Sequence, residues 1–283
     1  MDSTKVPLGI RSDPYDKYVD PDNVIAYALA SNDENPLYLS GDAVPPVFAV
    51  AVAWTAFMGV SPLPPEAVEG QRGGVHGEHD LYIRKPMVPG TWLHTTSERS
   101  SVVCSKAGMN VSVKLVTIDD DGDVVLEQYW STLMRGEVTG GDQGTPLADH
   151  SFPADARQSL VGSVSLPTTL DQTYRYAGAS GDRSPMHVDD EVARALGFPR
   201  KFNQGLCTLA VTSRGLIDLA AAGDPRRVRR IAVRFSSPSY PGDAIDLSVF
   251  KVAGGEGNQV FAFETSSGGA MTLRHGLVEV DRF

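Results

Sequence analysis

The sequence predicts an α+β chain made of two copies of one fold, each an antiparallel sheet curled around a long apolar helix. Three observations carry this reading. Two runs, Val47 to Val60 and Leu206 to Ala222, read as long apolar helices; a helix apolar all round is one wrapped on several sides. Each is followed by segments in which apolar and polar residues alternate, the period of a half-buried strand. These are Val111, Val113 and Leu115 after the first helix, and Ile245, Leu247 and Val249 after the second. Landmarks then recur in the same order. Tyr27, Ala28, Ala30, Ser31, Asp33 and Pro36 match Tyr176, Ala177, Ala179, Ser180, Asp182 and Pro185 at an offset of 149. Pro86-Met-Val-Pro89-Gly90 matches Pro238-Ser-Tyr-Pro241-Gly242 at an offset of 152. Two ordered landmarks with nearly equal offsets indicate an internal duplication, at a period far beyond that of solenoid repeats.

Taken in order, the chain opens on a charged segment. A short amphipathic helix follows, starting near Pro21, where a missing N–H costs nothing. The run from Ala43 to Pro65 carries no charge, yet the helix inside it is too short to span a bilayer and is read as core. In the first copy, Asp119-Asp-Asp-Gly-Asp123 turns one strand into the next, Val124 to Met134. A calcium loop fails there: with Gly122 at its sixth position, Gln128 falls at the twelfth where a Glu is needed. In the second copy Gly254-Gly-Glu-Gly257 turns into Asn258 to Thr265, and a last strand runs from about Met271 to Val280. The expected bounds are 1–137 for a first repeat, 138–158 for a linker rich in Gly, Pro, Asp and Thr, and 159–283 for a second repeat.

The 283 residues carry 25 basic and 35 acidic side chains, a net charge of −10, which argues against a nucleic-acid or anionic-membrane binder. The two cysteines, Cys104 and Cys207, match no metal spacing and read as free thiols of a reducing cytoplasm. The N-terminus lacks a signal-peptide apolar core.

The chemistry-bearing stretch is Tyr174-Arg-Tyr-Ala-Gly-Ala-Ser-Gly-Asp-Arg-Ser-Pro-Met-His187. Pro185 fixes its own φ and biases Ser184 away from helix, so a rigid bend lets Asp182 and His187 converge. A carboxylate beside an imidazole can hold a water and move its proton. The competing reading is an Asp-capped turn beside a surface His. Further on, Gly205 opens the second apolar helix, where a free backbone N–H can face a developing oxyanion.

This order of landmarks resembles the MaoC-like, hydratase 2 family of (R)-specific enoyl-thioester hydratases and dehydratases. The family motif runs as a Tyr, then Ser-Gly-Asp-x-Asn-Pro-aliphatic-His, then His-Gly at the start of the central helix. Two positions depart from it: Ser184 stands for the usual Asn, and Gln204 for the frequent His before the Gly. The resemblance covers most of the chain and is most specific in its C-terminal half. It implies a double hot-dog fold, with the first repeat a degenerate scaffold lining the acyl pocket. It also implies an enzyme, a hydro-lyase acting on a trans-2-enoyl thioester of CoA or acyl-carrier phosphopantetheine, with no cofactor or metal. Asp182, His187 and the Gly205 N–H would be catalytic and Ser184 would bind substrate; Arg200 and Lys201, coming shortly before Gly205 and so near the expected site mouth, are read as binding the substrate phosphates. The chain would be a monomer (a pseudo-dimer of repeats) or a homodimer. The alternatives are a non-catalytic acyl-thioester-binding partner subunit and an acyl-thioesterase.

Other candidates weigh less. Cys207 near His187 suggests a Cys-His-Asp nucleophile, but it falls inside a core helix. His76 and His79 lack a third metal ligand at usable spacing and read as part of a strand edge. Arg226 to Arg230 reads as a solvated helix exit favoured by the dipole.

Overall fold

The computed structural model describes residues 1–60, 63–69, 74–252 and 257–282. In chain order the first half holds β1 (Tyr15–Tyr18), α1 (Pro21–Ala30), α2 (Pro36–Leu39), α3 (Ala49–Val60) and α4 (Pro65–Val68). Strands β2 (Gly74–Ile83), β3 (Trp92–Ser105), β4 (Gly108–Asp119) and β5 (Val124–Arg135) follow. The second half runs β6 (Gln143–Gly144), β7 (Leu160–Leu166), α5 (Gln172–Ser180), α6 (Asp190–Ala195) and α7 (Gly205–Ala220). It ends in β8 (Val228–Phe235), β9 (Ile245–Val252), β10 (Asn258–Ser267) and β11 (Ala270–Asp281). By packing, the chain forms two compact units that interleave in sequence. One holds Met1–Lys17, Val52–Lys85 and Trp92–Asp149; the other holds Tyr18–Ala51, Pro86–Thr91 and His150–Phe283.

In the first unit β3, β4, β5 and β2 form an antiparallel ladder in that order. Inward residues alternate as a pleat requires: Leu93, Thr95, Ser97 and Arg99 on β3, and Val111, Val113, Leu115 and Thr117 on β4, are all buried. Helix α3 presents Trp54 and Phe57, and the Trp130 ring lies stacked between Phe57 at 4.1 Å and His76 at 4.7 Å. Two carbonyls in the last turns of α3 are met from the sheet. Ser97 Oγ donates to Ala56 O at 2.6 Å, and Arg99 Nη2 to Val60 O at 2.7 Å. Burial drives the His79 imidazole down to about 3, so it stays neutral inside β2. The 119–123 turn is closed by Lys85, which bridges Asp119 and Asp123, an ammonium where a calcium loop would hold its ion.

In the second unit the antiparallel ladder runs β8, β11, β10, β9, β7. Helix α7 lies against it with 12 of its 16 residues buried, which accounts for its mostly apolar sequence. Gly215 permits the approach: a Cβ there would sit 2.7 Å from Leu247 Cδ2 and 3.0 Å from Val164 Cγ1. The Gly254–Gly257 turn expected from the sequence lies largely outside the described residues. No described helix is long and apolar enough to cross a membrane.

The duplication is legible in hydrogen bonds within this unit. Ser31 Oγ donates to Tyr27 O at 2.6 Å, as Ser180 Oγ does to Tyr176 O at 2.7 Å. Asn35 N–H donates to Asp33 Oδ1 at 3.0 Å, as Ser184 N–H does to Asp182 Oδ1 at 3.1 Å. Tyr38 N–H reaches Asn35 O at 2.9 Å, as His187 N–H reaches Ser184 O at 3.0 Å. Helices α1 and α5 pack together, and the equivalent hydroxyls of Tyr27 and Tyr176 meet at 3.2 Å.

Candidate active site

Asp182 is placed by the end of α5. Gly181 takes the left-handed C-cap at φ +86°, a conformation with no Cβ penalty for glycine, and its N–H closes on Ala177 O. The chain then folds onto the carboxylate: Asp182 Oδ1 accepts from both the N–H (3.1 Å) and the hydroxyl (2.6 Å) of Ser184. Ser184 therefore orients Asp182, and Asp182 Oδ2 receives no hydrogen bond from any described residue. Pro185 opens a single 3₁₀ turn, Pro185–His187, that brings the imidazole inward; both Asp182 (8% exposed) and His187 (7%) are buried. The surface-histidine reading of this stretch is thereby excluded.

His187 Nδ1 lies 2.9 Å from Phe202 O. A carbonyl can only accept, so Nδ1 carries the proton and Nε2 holds the lone pair when the ring is neutral. Burial lowers the imidazole below its ordinary pKa, while the Asp182 charge and the Phe202 carbonyl oppose the shift. The ring packs edge-on to Phe202 at 4.7 Å.

Gly205 is the first residue of α7, and its N–H donates to no described residue. A Cβ there would lie 3.1 Å from the Phe235 ring, so glycine also lets the helix end settle on β8. Two buried polar residues that the sequence did not single out as anchors fix this end. Gln204 Nε2 donates to Thr173 O (3.2 Å) and to Asp182 O (3.3 Å), tying the turn before Gly205 to α5 and the Asp182 loop. Ser239, in the Pro238–Gly242 corner, bonds Asn203 Nδ2 at 3.0 Å and Thr208 Oγ1 at 2.8 Å. The corner and the Gln were visible in the sequence as landmarks; their mutual reach is tertiary.

Arg200 and Lys201 stand apart from this trio in their bonding. The Arg200 guanidinium lies 4.9 Å from the Tyr240 ring centre and 3.4 Å from Asp243; Lys201 Nζ is 3.7 Å from Asp190. Cys207 is fully buried and its thiol is pushed up to about 12, so no thiolate forms near neutrality and the nucleophile reading fails. Arg226, Arg229 and Arg230 pair with Asp224, Asp281 and Glu279, and Arg227 caps α7 through Ala221 O. Among the described residues, no three His, Cys, Asp or Glu side chains are arranged to hold a metal ion.

The duplicated helix-and-sheet frame is that of the double hot-dog class, and the chain belongs to the MaoC-like dehydratase family, a family of hydro-lyases. The family profile described as a MaoC like domain matches residues 151–269. The 3-hydroxyacyl-thioester dehydratase Y of Mycobacterium tuberculosis is 31% identical over 217 residues, 72% of this chain and 72% of that one. The probable enoyl-CoA hydratase 2 of Dictyostelium discoideum is 27% identical over 210 residues, 73% of this chain and 70% of that one. The crystal structure of a MaoC-like dehydratase from Phytophthora capsici shares the fold with a TM-score of 0.83 at 24% identity, covering 99% of this chain and 98% of that one.

Proposed function

We propose that this protein hydrates trans-2-enoyl-CoA to the (R)-3-hydroxyacyl-CoA and catalyses the reverse dehydration. One observation carries the mechanism. Asp182 Oδ2 and His187 Nε2 are two buried acceptors left open by their neighbours, the complement of the two O–H donors of one water. His187, kept neutral by burial, takes the water proton at Nε2 as the oxygen adds to C3. Asp182 orients that water and stabilises the imidazolium that forms. Electron density moves to the thioester oxygen, where the Gly205 N–H at the positive end of α7 receives it. The proton gained by the pair is delivered to C2, so one water is consumed and nothing is left over. Water is the only co-reactant, and the reading calls for no metal or organic cofactor.

Arg200 and Lys201 lie just upstream of α7, and we assign them to the phosphates of the carrier, exchanging Asp243 and Asp190 for substrate. The compartment we assign is the cytoplasm, where Cys104 and Cys207 stay reduced. The assembly we expect is a monomer or a homodimer.

The test is absorbance of crotonyl-CoA on mixing with the protein. Loss of the enoyl band without free thiol supports hydration; free thiol would mean hydrolysis instead. Asp182→Asn and His187→Ala should each lower turnover by about 10²–10⁴-fold. Near-parental turnover in either folded variant overturns that residue's role.

A further inference from the structure

The peptide unit that joins Gln204 to Gly205 carries the open N–H of the site on one side and the Gln204 carbonyl on the other. The unit is planar, so whatever aims one aims both. Gln204 is the N-cap of α7, yet its side chain makes no capping bond to its own helix. Side chains at this position ordinarily turn back onto the first free amides. This one reaches sideways instead, and Thr173 O and Asp182 O receive its Nε2 at 3.2 and 3.3 Å. Both partners are carbonyls, which only accept, so the orientation of the side-chain amide is fixed and its two N–H groups are both in use. Gln204 is buried, and its bond to Asp182 O ties it to the backbone of the carboxylate residue itself.

The carbonyl side of the same peptide is gripped independently. Gln204 O accepts from the Thr208 N–H at 3.0 Å and from Thr208 Oγ1 at 3.3 Å. With the Thr208 proton committed there, Ser239 donates across the 2.8 Å contact to Thr208 Oγ1, and Ser239 Oγ accepts from Asn203 Nδ2 at 3.0 Å. Asn203, Thr208 and Ser239 are all buried. Hydrogen bonds in such a chain polarise one another, and a carbonyl that accepts makes the N–H of its own peptide a stronger donor.

We propose that Gln204 is a positioning residue of the hydratase site, holding the Gly205 N–H in register with the Asp182–His187 pair, while the Asn203–Ser239–Thr208 chain fixes and polarises the same peptide at its carbonyl. The inference rests on the hydration reading given above. The role needs two donors on one neutral group, which a glutamine amide supplies at every pH. A neutral imidazole offers one donor, and a carboxylate offers none and sets a charge against both carbonyls.

The test is steady-state hydration of crotonyl-CoA by the whole protein and by Gln204→Met, which keeps the length of the side chain and loses both donors. The expected result is a kcat lowered by about 30–100-fold with KM within about threefold, since misplacement by about 1 Å costs about 10²-fold. Gln204→Glu should be at least as slow, and Gln204→His should lie between it and the parent. Ser239→Ala should lower kcat severalfold, and it decides the matter if the Gln204 variants do not fold. Spectroscopy separates positioning from packing. The absorbance of 2,4-hexadienoyl-CoA moves to the red when its carbonyl accepts a strong hydrogen bond. Bound to His187→Ala it should show that shift, and adding Gln204→Met should remove most of it. If the parent hydrates crotonyl-CoA and folded Gln204→Met keeps kcat within about threefold, the inference falls while the hydratase reading stands. A rise in KM at unchanged kcat, or an undiminished red shift, overturns it equally. Absence of hydration by the parent overturns the hydratase reading and this inference with it.

Discussion

Replacing Asp33 by Asn should stabilise the protein, and only at the pH values where a carboxylate would be charged. Asp33 is 6% exposed, and burial holds its pKa at about 6 against an ordinary 3.8, only partly offset by the Asn35 N–H and the Arg214 charge. A shift of about two units, at about 1.4 kcal/mol each, makes the ionised carboxylate cost about 3 kcal/mol in the native state relative to the unfolded chain. Because the native pKa is the higher one, the native state binds the proton more tightly. Stability therefore falls as pH rises from about 4 to about 6, and the full cost is present above that window. Asn keeps the oxygen that accepts from Asn35 N–H at 3.0 Å and cannot ionise.

Urea unfolding of parent and Asp33→Asn should thus give nearly equal free energies near pH 4 and a gain for the variant of about 2–3 kcal/mol near pH 8. A gain of the same size at both pH values would refute the reasoning, since it would show that ionisation of Asp33 is not what destabilises. A loss at pH 8 would refute it more directly.

Four further outcomes follow from the geometry. Arg200→Ala with Lys201→Ala should raise KM for a CoA thioester more than for a pantetheine thioester, each cation being screened by Asp243 or Asp190 until substrate arrives; equal effects on both substrates would remove them from phosphate binding. The imidazole of His187 should titrate below 6.5 in an NMR pH series, with the acid limb of kcat/KM following it, and Asp182→Asn should move that midpoint lower still by removing the charge that raises it. Gly215→Ala places a methyl 2.7 Å from Leu247 Cδ2 and should cost about 1–3 kcal/mol by overpacking, less up to about 1 kcal/mol regained in helix propensity, read as a lower thermal midpoint. Tyr38→His in an Asp182→Asn, His187→Ala background should leave crotonyl-CoA hydration absent, because Ala49, the first residue of α3, spends its N–H on Pro46 O where Gly205 leaves its own open.

Much of the fold was legible because it rests on local signals. Apolar runs announced α3 and α7, alternation announced β4 and β9, and Pro185 announced the bend that carries His187 inward. The duplication was legible because turns demand particular residues: Gly or Asn at the tip, Asp or Asn in the Asx position, Pro at the first helical position. What the sequence hid depends on burial. Asp33 and Asp182 look alike in the alignment, yet only the packed chain gives Asp33 a carboxyl pulled up to about 6 among other acids. Gln204 read as a departure from a motif, and its reach to Thr173 O and Asp182 O emerges only when α5 and α7 are side by side. The packing units likewise interleave: Tyr18–Ala51 falls in the same unit as the second repeat, an exchange to which no local pattern is sensitive.

The meeting of Tyr27 and Tyr176 has a consequence of its own. Tyr27 spends its one hydroxyl proton on Val47 O at 3.0 Å, so the proton in the 3.2 Å bond between the two rings must come from Tyr176. Two residues of identical type at equivalent positions are thus a fixed donor and a fixed acceptor. In a pair of identical copies that bond could point either way with equal energy. Here the carbonyl of Val47 settles the direction and confines the proton order to one arrangement. Chemically identical deletions should then be unequal. Tyr176→Phe takes away a donor and leaves Tyr27 still bonded to Val47, whereas Tyr27→Phe strands the Tyr176 hydroxyl inside the protein and leaves the Val47 carbonyl only the Ala49 N–H. The divergence of the two repeats therefore extends to a place where their sequences still agree.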